Sequence, residues 1–468
     1  MSQRWKQFSG NWTVTQQVQA KGAGTWPEFP GAPTIGTATV VGTDVEVSFT
    51  APANPGYPTT LSYTATSSPG GLTGTGSASP ITVTGFSAGV AYTFTVTATN
   101  DTGTGPASAA SNSVTPVVNK ELYGSGANTL GQLGLNDTIA RSSPTQVGAL
   151  NDWASIVVGQ NGNAAATKRD GTVWSWGLGA TGRTGQNNTV YYSSPVQIGA
   201  LSNWSALATY REHTLSIKTD GTLWAWGNGA NGRLGDNSVV TASSPIQIGS
   251  NTNWASCAAG ERQGAAITTS GVLYAWGRNN VGQVGVNNKI DYSSPVQVGS
   301  GYAMVSAGAD HMLAIKTNGT LWSWGVASQG RLGLNSPDAV SSPTQVGALT
   351  NWEYVSAGRE NSHAIRAGIM YGWGAGSFIG NNTTINASSP VQVTSASNWT
   401  RVASTNESIV AAIRSDGSLW GWGRNENGEL GQGNRIPLNA SSPIQVGAGR
   451  TWTDVDTADT FMMYIEEV

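Results

Sequence analysis

The tripeptide Ser-Ser-Pro occurs seven times in this 468-residue chain, with its proline at Pro144, Pro195, Pro245, Pro295, Pro343, Pro390 and Pro443. Successive prolines stand 47 to 53 residues apart, and much else travels with them. A glutamine follows two places later each time, at Gln146, Gln197, Gln247, Gln297, Gln345, Gln392 and Gln445. An aromatic comes next, at Trp153, Trp204, Trp254, Tyr302, Trp352, Trp399 and Trp452. Trp176, Trp226, Trp276, Trp324, Trp373 and Trp422 then each precede a glycine, while the first unit has Leu122-Tyr123-Gly124 near this place and lacks the Trp. Self-similarity at a period near 50 residues marks an architecture in which each unit buries its apolar face against the next.

Each unit reads as several short strands. VSAGADHMLAIKTNGTLWSWG holds two apolar runs, 311–315 and 320–324, broken by Asn318-Gly319. That dipeptide is a tight-turn signal, and Asp-Gly takes its place at Asp170-Gly171, Asp220-Gly221 and Asp416-Gly417. Strand, turn and strand at this period predict the blades of a seven-bladed β-propeller over 118–468. Only 10% of the residues are charged. Radial repetition suits such a chain, because it protects strand edges without charged side chains.

The run LWAWGNGANGRLG, then SSPIQIG, then the aromatic and SAGADHMLAI, resembles the repeats of the regulator of chromosome condensation family. The resemblance implies a propeller of seven blades. The family's exchange activity uses an inserted wedge and acidic contacts, and its chromatin binding uses a basic tail. Here the spacing of 47 to 53 leaves no room for a large insertion, and the N-terminal segment is aromatic rather than basic. Neither activity is therefore expected.

Residues 31–117 alternate apolar and polar side chains with period two, in ATVVGTDVEVSFT, LSYTATSS and AYTFTVTATN, which predicts a small sandwich. The stretch is similar to a fibronectin type III domain, with Tyr92 and Phe94 on a late strand, Asn100…Gly103…Gly105-Pro106 at the following turn, and Phe49 where that family usually has a buried Trp. Residues 1–30 fit neither domain. They carry Trp5, Phe8, Trp12, Trp26 and Phe29 on a segment too short to bury them, so a docking arm that orders on a partner is expected. WTVTQQVQAKGAGTWPEFPGAP resembles N-terminal segments of tailed-phage structural proteins. The fold class is thus all-β: arm, sandwich, propeller.

Catalytic chemistry is not expected. One Cys excludes an internal disulfide and a thiolate zinc cluster, and Cys257 reads as a small core residue. His213, His311 and His363 fall in three different units and read as structural. No nucleophile elbow or phosphate loop is present, so no cofactor, metal or enzyme activity is expected. A net charge of -3 argues against nucleic acid, and no apolar run reaches the 18 residues needed for membrane insertion. The start also lacks the apolar run of a standard secretory signal.

Two sets of residues are candidates for binding. Arg211, Glu212, Glu261, Arg262, Asp310, Arg359 and Glu360 occupy equivalent turns and so form a mixed ring on one propeller face, either simply solvated or a docking surface. The divergent segments before Ser-Ser-Pro share a register, and Tyr191, Tyr192 and Tyr292 are their rigid amphipathic contacts. The paired Trp224 and Trp226 share a strand face and read as packing between blades, or else as a platform for sugars.

These readings converge on a non-enzymatic structural and adhesive protein of a virion, assembled in the host cytoplasm as part of a larger assembly. The arm joins other virion proteins and the propeller meets a host surface protein or glycan. A bacterial surface or secreted binding protein is the alternative, and an intracellular exchange-type scaffold a further one.

Overall fold

The computed structural model describes residues 13–23, 26–87, 89–404, 408–436 and 438–468. The chain divides after Asn119 into two compact units.

The first unit is a sandwich preceded by one helix. Three strands, Thr34–Val41, Asp44–Thr50 and Ile81–Val83, make one sheet. Thr73–Gly76, Ser62–Ser68, Thr93–Asn100 and Gly103–Thr104 make the other. The alternation read in the sequence is the alternation of burial: Val45, Val47, Tyr63, Ala65, Phe94, Val96 and Ala98 point inward. Phe49 packs on Tyr63 with ring centroids 4.6 Å apart. The side-chain oxygen of Asn100 accepts from the Thr102 and Gly103 amides and holds the turn that follows.

The arm differs from its expectation in two respects. Val14–Gly22 is a helix, begun by a capping box in which the Thr13 hydroxyl accepts from the Gln16 amide and Gln16 reaches back to the Thr13 amide. Further on, the Glu28 and Tyr57 backbones exchange hydrogen bonds of 3.1 Å in both directions. Gly103, at φ 140°, leaves the space that the Phe29 ring occupies, since a Cβ there would lie 2.6 Å from the ring. Trp26 and Phe29 are half-buried, and Phe29 belongs to the sandwich, because it fills a gap that glycine makes. Trp5, Phe8 and Trp12 lie outside the described residues.

In the second unit seven four-stranded antiparallel sheets follow one another. Blades one to six are continuous in sequence, at 153–197, 204–247, 254–299, 302–345, 352–392 and 399–446. Blade seven is composite. Trp452–Thr457 and Phe461–Glu467 supply its first two strands, and Lys120–Gly126 and Arg141–Gln146 its last two. Phe461 pairs with Gly126, Tyr464 with Tyr123 and Glu467 with Lys120. The ring therefore closes through the two ends of the propeller chain, which leaves neither as an open edge. First strands from all seven blades line an axial cavity of about 170 Å³.

Neighbouring blades are joined by two repeated ties. Each Trp preceding the glycine is fully buried, and its indole N–H donates to a carbonyl of the preceding blade: Trp176 to Gln132, Trp226 to Arg183, Trp276 to Arg233, Trp324 to Gln283, Trp373 to Arg331 and Trp422 to Phe378. Blade seven has Ser125 at this position, and its hydroxyl makes the same bond to the Glu429 carbonyl. The second tie explains Ser-Ser-Pro. The amides of Asn136, Asn187, Asn237, Asn287, Asn335, Asn382 and Gly433 each donate to the carbonyl of the first Ser in the next blade's tripeptide, at 2.6 to 2.9 Å. These six asparagines and Gly433 all have φ between 54° and 76°, a left-handed backbone that asparagine and glycine adopt most readily.

Candidate functional site

The turns between first and second strands lie at one end of the blades, and the loops between third and fourth strands lie at the same end. That face holds both candidate binding sets.

Most of the charged ring is engaged in joining blades. Arg211 pairs with Glu261 of the next blade at 2.6 Å, and Arg262 reaches the same carboxylate at 3.5 Å. Glu212 receives Arg183 of the blade before at 3.8 Å and Arg233 of its own at 3.2 Å. Glu360 pairs with Arg331 at 3.6 Å. Asp310 accepts from Gln283 at 3.3 Å, and its own burial raises its carboxyl pKa. The Arg359 carbonyl accepts from Arg331 at 2.7 Å. Arg183, Arg233 and Arg331 were not candidates from sequence, yet they organise this ring. Each is buried in a Gly-Arg-Leu-Gly or Gly-Arg-Thr-Gly turn and donates to a backbone carbonyl of the next blade's turn. An arginine recurring at one place between two glycines was the available signal.

The loops before Ser-Ser-Pro behave differently. Tyr191 is exposed. Tyr192 and Tyr292 are half-buried, and their hydroxyls accept from Asn188 at 2.9 Å and Asn288 at 2.8 Å, so they brace the loops from beneath. Three residues after each left-handed position stands an exposed β-branched side chain: Ile139, Val190, Val240, Ile290, Ile385 and Ile436. Blade four alone has a charge there, Asp338. The outcome is a rim of aliphatic side chains at equal stations around one face.

The remaining titratable groups are interior. His213, His311 and His363 are fully buried. Burial pushes His213 down to about 3 and His363 to about 4, and holds His311 well below the usual imidazole value. His311 Nε2 meets the Ser362 hydroxyl of the next blade at 2.9 Å, and the His363 ring packs on Trp422 at 5.7 Å. Cys257 lines the axial cavity, and burial pushes its thiol up to about 12, so it is not a nucleophile at neutral pH. Arg401, which also lines the cavity, pairs with Asp454 at 2.6 Å, while Asp454 and Asp456 accept the Ile156 and Val158 amides of blade one at 3.1 and 2.8 Å. Burial pushes Asp456 up to about 7. Among the described residues no three His, Cys, Asp or Glu are placed to hold a metal, and no helix is long and apolar enough to cross a membrane.

The sequence profile described as the regulator of chromosome condensation (RCC1) repeat matches residues 120–166, 170–217, 220–267, 270–315, 318–365 and 416–465, together more than half of the chain. This chain belongs to the RCC1 repeat family. The fibronectin type III profile matches residues 31–114. Among solved structures the RCC1-type propeller Prp20p from Saccharomyces cerevisiae superposes with a TM-score of 0.67 at 18% identity, covering 75% of this chain and 92% of that one. Human WBSCR16 gives 0.66 at 19% identity, covering 74% and 99%. At these identities the likeness is one of fold. The curated human relative, probable E3 ubiquitin-protein ligase HERC4, is 31% identical over 112 residues, which is 23% of this chain and 10% of HERC4. The RCC1 profile passes over 366–415, yet blades five and six are built there with unchanged topology. Blade five departs in a short Ala367-Gly368 turn and in a Gly-Ser-Phe-Ile-Gly loop without the arginine.

Proposed function

We propose that this RCC1-repeat protein is a non-enzymatic structural and adhesive component of a virion, in a tail fibre or tail-associated appendage, with the propeller rim as its contact surface for the host. The rim is the observation that carries this reading. Six blades offer an exposed aliphatic side chain from one register, on loops whose other residues diverge. A rigid ring with repeated anchors and variable surroundings is how a scaffold displays a recognition surface. The fibronectin-type sandwich supports the adhesive half of the reading, as a spacer module. Coupling to other virion proteins is assigned to the aromatic segment ahead of the helix, with Trp5, Phe8 and Trp12.

The test uses the full-length protein in binding to candidate host cells and in competition with phage adsorption. A triple variant, Val190→Asp, Val240→Asp and Ile290→Asp, keeps the interior intact and charges half of the rim. The expected result is saturable binding by the parent and a loss of at least about tenfold in the variant. A parent that neither binds cells nor blocks adsorption refutes the adhesive role. A variant that binds as well as the parent moves the contact surface elsewhere.

A further inference from the structure

At the opposite end of the strands from the rim, a second repeated feature appears. The last residue of the second strand is a lysine in blades one, two and four and an arginine in blades five and six, and each lysine ammonium lies over two aromatic rings. Lys168 sits 5.3 Å from Trp153 and 4.6 Å from Trp174. Lys218 sits 4.6 Å from Trp204 and 3.5 Å from Trp224, and Lys316 follows with Tyr302 and Trp322. The aromatic faces stabilise the charge in part, but an ammonium still has three hydrogens to donate.

Blade one balances the charge internally, since Asp152 forms an ion pair with Lys168 at 3.2 Å. Blade two does not. The position equivalent to Asp152 is Asn203, as the matching bonds Arg169 N–H to Asp152 carbonyl and Thr219 N–H to Asn203 carbonyl show. The Asn203 side-chain oxygen is buried with no hydrogen-bond partner. Lys218 is 5% exposed, and among the described residues no carboxylate lies within ion-pair distance of it. The nearby Asp220 is engaged by the Thr222 amide and hydroxyl. Lys218 instead lines a groove of about 410 Å³ between blades one and two, a size within the usual range for small-ligand sites.

We propose that this groove binds a carboxylate-bearing sugar, a uronic or sialic acid residue, with the Lys218 ammonium taking the carboxylate that Asp152 supplies in the neighbouring blade. Trp224, Leu201 and Pro245 give the groove apolar walls suited to the C–H face of a sugar ring. Gln186 uses its amide nitrogen on the Val196 and Gln197 carbonyls, which leaves its side-chain oxygen to accept from a hydroxyl. A hydroxylated acid uses both features, whereas an acidic peptide side chain uses only the cation. The corresponding groove between blades four and five, about 260 Å³ with Leu349, Trp352 and Tyr371, serves as an internal comparison. There Arg366 donates to the Thr350 carbonyl and presents no unpartnered ammonium. This site is distinct from the rim and stands whether or not the rim contacts a host.

The experiment titrates the full-length protein with sialyllactose and with a galacturonic acid oligomer by calorimetry, with lactose and a glutamate-rich peptide as comparators. Saturable binding of at least one acid sugar is expected, with lactose weaker by at least about tenfold. Asn203→Asp installs the missing carboxylate and should abolish binding while leaving the melting temperature unchanged or higher. Lys218→Met keeps the stem between the rings and should also lose at least about tenfold in affinity. Failure of both acid sugars to bind, equal binding of lactose, or full affinity in the folded Asn203→Asp variant overturns the proposal. Tighter binding of the peptide overturns the sugar assignment. None of these results bears on host adhesion through the rim, which is read from cells with the rim variant.

Discussion

Trp226 shows how much one residue carries in this fold. Its indole fills the seam between blades one and two, packs on Trp204 with centroids 6.1 Å apart and bonds the Arg183 carbonyl at 3.1 Å. Gly185, at φ 69°, exists to admit it, since a Cβ there would stand 3.0 Å from the indole nitrogen. Removing the ring leaves a cavity and an orphaned buried carbonyl. Trp226→Ala is therefore expected to cost about 3–5 kcal/mol in chemical denaturation. A variant within about 1 kcal/mol of the parent would show the seam to be held by other contacts. Trp224, two residues earlier, is half-buried and belongs to the Lys218 cage, so the two indoles of one strand serve different ends. Of the two readings open from sequence, packing describes Trp226.

At the scale of the element, the start of the second strand is an instructive position. It is Asn163, His213, Gln263, His311 and Asn361 in successive blades, each buried and able to hydrogen-bond. Imidazole and amide alternate, but only imidazole titrates. The three buried histidines have folded-state pKa values below their ordinary value of 6.5, so the unfolded chain takes up protons first. Their stability contribution is complete above about pH 6.5 and falls as pH drops, by up to ~1.4 kcal/mol per pH unit for each. Asp456, raised to about 7, works in the opposite sense and loses its contribution as pH rises toward that value. His213→Gln, which copies Gln263, should flatten the decline in melting temperature between pH 6.5 and 4, while Asp456→Asn should steepen it. Unchanged slopes in both variants would contradict these assignments.

The same elements separate what sequence carries from what it hides. Period, turn dipeptides and apolar runs made the seven units, their strands and the inter-blade Trp legible, because side-chain chemistry marks each. The ties themselves were not legible. The partner of Trp226 is a carbonyl of Arg183, the partner of Asn187 is a carbonyl of Ser243, and a carbonyl leaves no signature in the sequence. Ser125 stands in for an indole by hydroxyl chemistry alone, so the first unit seemed to lack the feature. Charges in the equivalent turns were found, but not that Arg183 and Arg331 engage them from a neighbouring blade and Arg233 from its own.

For the whole molecule the decisive element is the composite blade. Phe461–Glu467 pairs with Trp452–Thr457 on one side and Lys120–Gly126 on the other, and its Phe461, Met463 and Ile465 enter the core shared with blade one. Deleting 461–468 therefore frees two further strands and uncovers both adjacent seams. Hydrogen exchange should rise in blades one and six as well as in 452–460, with a lower melting temperature. Exchange confined to 452–460 would mean that the ring does not behave as a unit.

The Ser125–Glu429 bond joins residues 304 apart in sequence, and this separation sets an order of events during synthesis. Of the propeller strands, 120–126 and 141–146 leave the ribosome first, yet the first of them cannot be paired on its inner side until 461–467 follow. At elongation rates of roughly 5–20 residues per second, that edge waits on the order of 15–60 seconds. During this interval it is an open backbone edge, able to pair with another chain. Its sequence, Lys120-Glu121-Leu122-Tyr123-Gly124-Ser125-Gly126, puts two charges at the start and two glycines at the end, and in the first of the seven units it carries serine where the others carry tryptophan. A serine there makes the waiting strand a poorer template for a stranger, and still delivers the bond once its own partner arrives.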